Sequence, residues 1–164
     1  MSANAHACGV LLHPTAFPAT PACGTLGAAA RAWIDLLARE GVQAWQVLPL
    51  APTDGIGSPY SSPSGSALNP WLIDADDLVA EGLLQASGRE ELPQGGTERL
   101  DPSAATVRAA AIAAALGRRW PQQPAAVRQE FEEWRRRHPW LADHCRFMVL
   151  RRLQQGRPWW EWPG

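Results

Sequence analysis

The run Trp45-Gln46-Val47-Leu48-Pro49-Leu50 is short and apolar and ends in proline, the pattern of a strand that a proline stops. Immediately before it, from Ala28 to Glu40, Ala29, Trp33, Leu36 and Leu37 recur at the spacing of one helical face. Gly41 supplies the residue that tolerates left-handed geometry after a helix. Further upstream, Gly9-Val10-Leu11-Leu12 is a second compact apolar run, stopped by His13-Pro14. Strand, helix and strand with short connections imply two parallel strands joined by a right-handed crossover. Both strands are expected to be buried.

Parallel strands end on the same side, so His13 and the segment from Pro49 to Ile73 emerge together at the carboxyl edge of the sheet. Ligands of α/β folds bind at that edge. The segment carries no helical or strand periodicity and is longer than an ordinary unstructured connection. Pro49, Pro52, Pro59, Pro63 and Pro70 stiffen it, and Trp71-Leu72-Ile73 anchors its far end. It holds Gly57-Ser58-Pro59-Tyr60-Ser61-Ser62-Pro63-Ser64, with the only tyrosine of the chain. An ordered binding loop is the expected reading.

Beyond Ile73 every segment reads as helix. A short one runs from Asp76 to Leu84, with acids in its first turn. Asp101-Pro102-Ser103 starts an Ala-rich helix to about Arg119, an Asp cap followed by proline at the first helical position. Pro124 opens another, with Val127, Phe131 and Trp134 on one face. Pro139 opens the last, striped by Leu141, Cys145 and Met148, which Gln154-Gln155-Gly156 ends. Gly88 to Gly96 reads as a polar linker.

Composition excludes several classes of function. The chain has 164 residues, 46% of them apolar, enough for one ordinary domain. Its formal net charge is -1 and its 15 basic residues are all arginine, so nothing favours a nucleic-acid partner. Arg135-Arg136-Arg137 reads as a solvated helix end that complements the dipole. Cys8, Cys23 and Cys145 form neither a metal cluster nor a disulfide framework. No metal and no cofactor are expected. The N-terminus has no signal-peptide pattern and no run suits a membrane span, so a cytoplasmic protein without a membrane partner is expected.

Two strands do not complete a sheet, and Arg157-Pro158-Trp159-Trp160-Glu161-Trp162-Pro163-Gly164 places large apolar side chains that something should bury. The chain therefore reads as unfinished.

These blocks resemble the amylomaltases or disproportionating enzymes, the 4-alpha-glucanotransferases. Gly9-Val10-Leu11-Leu12-His13-Pro14-Thr15 resembles the first barrel strand of that family, and Trp45-Gln46-Val47-Leu48-Pro49-Leu50 with Pro52-Thr53 resembles the second. Ser58-Pro59-Tyr60 with Asn69-Pro70 and Leu72-Ile73 resembles the loop that follows. Phe147-Met148 and the tryptophan-rich end resemble the helical region and junction beyond, so the resemblance runs from Gly9 to Gly164. It implies an α/β fold, the incomplete N-terminal part of a (β/α)8 TIM barrel, followed by a helical insertion. Residues 1–74 would hold the first two strands, their helix and the tyrosine loop, and residues 75–164 the insertion and the junction toward a third strand.

The activity implied is transfer of alpha-1,4-glucan segments between maltooligosaccharides with retention. That chemistry needs two carboxylates about 5 to 5.5 Å apart. None of the acids here matches the family's pair, so no catalytic residue is assigned and the chain alone is expected to be inactive. Asp74, Asp76 and Asp77 suit a helix start, and Asp54 an Asp-Gly turn. By resemblance Tyr60 faces the donor sugar, and Ser58 offers that sugar a hydroxyl. Pro59, Asn69 and His13 are expected to support the loop. The partners implied are maltooligosaccharides or other alpha-1,4-glucans, and the rest of the barrel if separately encoded. A non-catalytic glucan-binding or interaction fragment, or a decaying gene product, is the alternative, and a small helical interaction protein is a third reading. Two departures stand out. Thr25 replaces an acidic residue in Cys23-Gly24-Thr25-Leu26-Gly27, and Pro63, Gly65 and Ser66 stand where the family often carries an aromatic and a Phe-Ala pair, so the loop should pack less well.

Overall fold

A computed structural model describes residues 7–18, 22–93 and 99–163. Its sheet has two strands, β1 (Gly9–Leu11) and β2 (Ala44–Gln46), paired in parallel with Val10 opposite Trp45. Helix α1 (Ala28–Arg39) connects them, and Gly41 at φ 70° turns the chain out of it. The expected crossover is present.

The strands are nevertheless not buried. Only Val10 and Trp45 are half-covered, and their neighbours Gly9, Leu11, Ala44 and Gln46 are exposed. The reason is geometric: alternate residues of a strand point to opposite faces. One face is covered by Phe17, whose ring lies 5.7 Å from Trp45 and 6.3 Å from Trp33 of α1. The Trp45 indole N–H donates to the Leu12 carbonyl at 2.8 Å, which ties the two strand ends together.

The core sits instead around a helix of the second half. After α2 (Ala75–Ala80) and α3 (Ala86–Glu90) comes α4 (Pro102–Arg119), whose Ile112 is 1% exposed. Ile112 and Ala115 pack with Ala75, Leu84 and Leu92 in one cluster, and Ala105 packs with Ala22, Cys23 and Trp71 in another. Helix α4 thus joins both halves of the chain. Its start follows from local chemistry, since the Asp101 carboxylate accepts from the Ala104 amide at 2.9 Å and Pro102 occupies the first turn.

Helix α3 corrects the reading of Gly88 to Gly96 as a linker. The first part of that stretch, Gly88 to Glu90, is helical, because Leu92 is buried and Arg89 pairs with Asp76 at 2.7 Å, contacts that a polar composition does not reveal. Residues 94–96 of that call lie outside the described residues. The last two helices, α5 (Ala125–Arg137) and α6 (Trp140–Leu153), bury no residue fully. An aromatic chain runs along them, from Trp120 through Phe131, Trp134 and His138 to Trp140, with ring separations of 5.0, 6.1, 4.3 and 6.4 Å. No helix among the described residues is long and apolar enough to cross a membrane.

Candidate functional site

The carboxyl ends of β1 and β2 open onto a short helical turn and a long loop. His13 caps the turn Pro14–Ala16, its Nδ1 lying 2.8 Å from the Thr15 hydroxyl and accepting from the Thr15 amide at 3.4 Å. Its other ring nitrogen, Nε2, is buried without a hydrogen-bond partner in geometric range. Burial lowers the His13 pKa, opposed by the Pro49 carbonyl nearby.

The loop after β2 is held by side chains bonding backbone, the means by which short polar residues organise chain that makes no ladder. Asp54 Oδ1 accepts from the amides of Ile56 at 3.0 Å and Ser58 at 2.9 Å, and its carbonyl accepts from Gly57 at 3.1 Å. Gly57 has φ 84°, and a Cβ there would lie 3.3 Å from Leu100 and Pro102. Ser58 Oγ accepts from the Tyr60 amide at 3.4 Å. Ser62 and Ser64 repeat the device, Ser64 Oγ accepting from Ser66 and Ala67 at 3.3 and 3.2 Å.

The loop closes where Asn69 meets the end of the second strand segment. Its amide donates to the Leu50 carbonyl at 2.8 Å, and its side-chain oxygen accepts from Trp71 at 3.0 Å. Asn69 is only 3% exposed, and its Nδ2 has no partner. Between these anchors Tyr60 stands out at 75% exposure, with Pro59 and Ser58 half-buried beneath it. The structure therefore gathers Ser58, Pro59 and Tyr60 on one loop, with Asn69 at its base and His13 at the neighbouring strand end.

Beside the loop lies a contact that sequence reading missed. Thr25, 1% exposed, donates its hydroxyl to Asp74 Oδ2 at 2.5 Å, while Asp74 Oδ1 accepts from the Asp76 and Asp77 amides at 2.9 and 3.2 Å. One carboxylate thus caps α2 and holds the turn before α1. Asp77 pairs with Arg31 of α1 at 2.7 Å, reinforcing the same junction. No spacing rule links residues so far apart in sequence.

The charges of this region set its response to acid. Hydrogen bonds from Arg89 and Arg31 hold Asp76 and Asp77 below the ordinary carboxylate range, and the Ser58 amide does so for Asp54. A depressed carboxylate stabilises the fold above its unfolded value of about 4 and loses that contribution as pH falls through the folded one. His13 is also depressed, so its neutral form stabilises the fold above about 6.5, a contribution lost as pH falls below that value. Melting temperature is expected to decline in two stages on acidification. In His13→Asn the first stage should vanish, and in Arg31→Ala/Arg89→Ala the second should flatten; unchanged profiles would refute these assignments.

The carboxylates in and beside the loop are thus occupied by structural work. Asp54 organises the turn and Asp74 caps a helix.

The chain is similar to known proteins over nearly its whole length. A family described as 4-alpha-glucanotransferase matches residues 12–164. A 4-alpha-glucanotransferase of Synechocystis sp. is 36% identical over 156 residues, covering 94% of this chain and 31% of the relative. One from Thermus thermophilus is 38% identical, with the same coverage of 94% and 31%. The amylomaltase of Streptococcus agalactiae, solved in complex with acarbose, superposes with a TM-score of 0.82 at 27% identity, over 96% of this chain and 32% of that one. The chain spans about a third of the length of the curated relatives it matches.

Proposed function

The chain belongs to the 4-alpha-glucanotransferase family, and from that premise we propose that it supplies one wall of a site that transfers alpha-1,4-glucan segments between maltooligosaccharides. Its architecture is the N-terminal part of the amylomaltase barrel, two parallel strands and a helical region. The observation that carries the proposal is the exposed Tyr60, raised on an ordered loop at the carboxyl edge of those strands.

Tyr60 suits a sugar, since a pyranose shows a flat apolar face and a rim of hydroxyls, and tyrosine offers a ring with a polar tip. Ser58 lies one turn below it, where its hydroxyl sets the Tyr60 amide and can reach the same ligand. Pro59 restricts the backbone between them. Asn69 and His13 hold the base of the loop. Residues 1–74 are then the barrel portion and residues 75–164 the helical insertion and junction, with Asp74 bonded to both.

Retaining transfer proceeds through attack by one carboxylate on the anomeric carbon while a second protonates the leaving oxygen, and the acceptor hydroxyl then displaces the enzyme. The residues here position the donor sugar for that chemistry, and the paired acids belong to later strands. Cytoplasmic placement and a role in maltodextrin or glycogen metabolism go with this reading. The exposed thiols of Cys8 and Cys145 suit a reducing compartment.

A maltotriose disproportionation assay tests it. The 164-residue chain should release no glucose and form no longer oligosaccharide, while a polypeptide extended to the family's full length should do both. In that longer protein Tyr60→Ala should lower kcat/KM by about 10- to 100-fold, on the order of 1.4 to 2.7 kcal/mol of transition-state stabilisation. Transfer by the short chain, or an unimpaired Tyr60→Ala enzyme, would count against the proposal.

A further inference from the structure

We propose that the start of α4, through Leu100 and Pro102, is a positioning element for Tyr60: it seats the backbone of Gly57 and thereby fixes where the loop presents the tyrosine ring. That this ring meets a donor sugar rests on the family reading above; the seat itself does not.

The seat is a close approach of backbone to side chains. Gly57 takes φ 84°, and the place a Cβ would occupy lies 3.3 Å from both Leu100 Cδ2 and Pro102 Cγ and 3.9 Å from Trp71 Cζ3. The left-handed backbone that only glycine adopts freely is thus laid against the first turn of α4, with the Trp71 ring beside it.

From Gly57 to Tyr60 the chain has little freedom. The Gly57 amide donates to the Asp54 carbonyl at 3.1 Å, and the Ser58 amide donates to Asp54 Oδ1 at 2.9 Å. Pro59 fixes a dihedral angle, and the Tyr60 amide donates to Ser58 Oγ at 3.4 Å. A shift at Gly57 is carried to Tyr60 by this bonded, proline-stiffened link.

Helix α4 can act as a support because it is itself pinned along its first two turns. The Asp101 amide donates to the Ala22 carbonyl at 2.8 Å, and Ala105 packs with Trp71, Ala22 and Cys23. One turn further on, the buried Arg108 guanidinium donates to the Ile73 carbonyl at 3.4 Å. Trp71 and Ile73 form the far end of the same loop, so α4 clasps the loop there and again at Gly57. The strands launch the loop, and the helical region sets its course. Ala105 and Ile112 anchor α4 in the two buried clusters. Shortening Leu100 and Pro102 therefore leaves those anchors in place while emptying the seat.

Tyr60 is the chain's only tyrosine, so labelling with 3-fluorotyrosine gives one fluorine NMR resonance that reports this ring alone. In the 164-residue chain the parent should show a single line, which Leu100→Ala/Pro102→Ala should shift or split. Leu100→Ala alone should move the line the same way with the parent's helical circular dichroism. Leu100→Met, which keeps an apolar side chain of similar volume against Gly57, should restore the parent's line. Ile112→Val should lower the melting temperature through the other cluster and leave the line where it was. An unmoved line in both seat variants, several lines in the parent, or an equal displacement in Ile112→Val overturns the seat.

Activity separates this inference from the family reading. In a polypeptide extended to the family's full length, Leu100→Ala/Pro102→Ala should lower kcat/KM for maltotriose by about 3- to 10-fold and cost nothing further in a Tyr60→Ala background. A loss that persists in that background, or full activity in the seat variant beside an impaired Tyr60→Ala enzyme, overturns positioning through Tyr60. A moved line with full activity in both the seat variant and Tyr60→Ala upholds the seat and refutes the sugar role of Tyr60.

Discussion

Gly24→Ala is expected to destabilise the chain by at least about 3 kcal/mol, the upper end of ordinary overpacking, and to lower the melting temperature by about 6 to 12 °C for a chain of this size. A Cβ at Gly24 would lie 2.1 Å from the Pro14 carbonyl oxygen and 2.7 Å from the Phe17 amide nitrogen. Those two atoms are bonded to each other at 3.1 Å, the bond that closes the turn after β1. A methyl group there displaces backbone, with no flexible side chain to give way. The Gly24 amide also donates to the Thr15 carbonyl at 2.9 Å, so any retreat breaks a second bond. Because His13 caps the same turn, the carboxyl edge of β1 should lose its shape as well. Gly117→Ala is the matching control. Gly117 lies inside α4 with nothing within 4 Å of its missing Cβ, and alanine there should add about 0.5 to 1 kcal/mol. Equal thermal shifts for the two variants would refute the packing argument.

Asp74→Ala carries the second large effect, about 1 to 4 kcal/mol in urea denaturation. Removing an aspartate cap costs roughly 0.5 to 2 kcal/mol. Stranding the buried Thr25 hydroxyl adds about 1 to 3 kcal/mol. The two contributions overlap through local relaxation, which keeps the total below their sum. Asp74→Asn should recover most of the cap, because an amide oxygen can still accept from the Asp76 and Asp77 amides. In a double-mutant cycle with Thr25→Ala, the coupling should amount to about 0.5 to 3 kcal/mol. A cost under about 0.5 kcal/mol for Asp74→Ala would refute the role given to this carboxylate. The same contact occupies Thr25, where the resemblance expects an acid. Its threonine hydroxyl donates to the Asp74 carboxylate.

What could be read from the chain, and what could not, divides along physical lines. Helix starts were legible where one side chain and its near neighbours suffice, as at Asp101-Pro102 and Pro139. The parallel strand pair was legible too, since Val10 and Trp45 lie in apolar runs on either side of a helical face. Strand burial was not, because it depends on what else covers the sheet. Helix α3 escaped notice because its support comes from Leu92 and the Arg89–Asp76 pair, while its own composition is polar. At the site, Tyr60 was conspicuous as a lone tyrosine among turn residues. The Thr25–Asp74 bond needed coordinates, since it joins segments that only the folded chain brings together.

Helices α5 and α6, which bury no residue fully, also have a bearing on how the molecule breathes. An element with no fully buried residue opens with little disturbance to the rest, so its backbone amides exchange with solvent through local excursions that cost little. Deuterium should enter residues 125–153 well before it enters α4, whose Ile112 and Ala115 lie at the centre of the larger cluster.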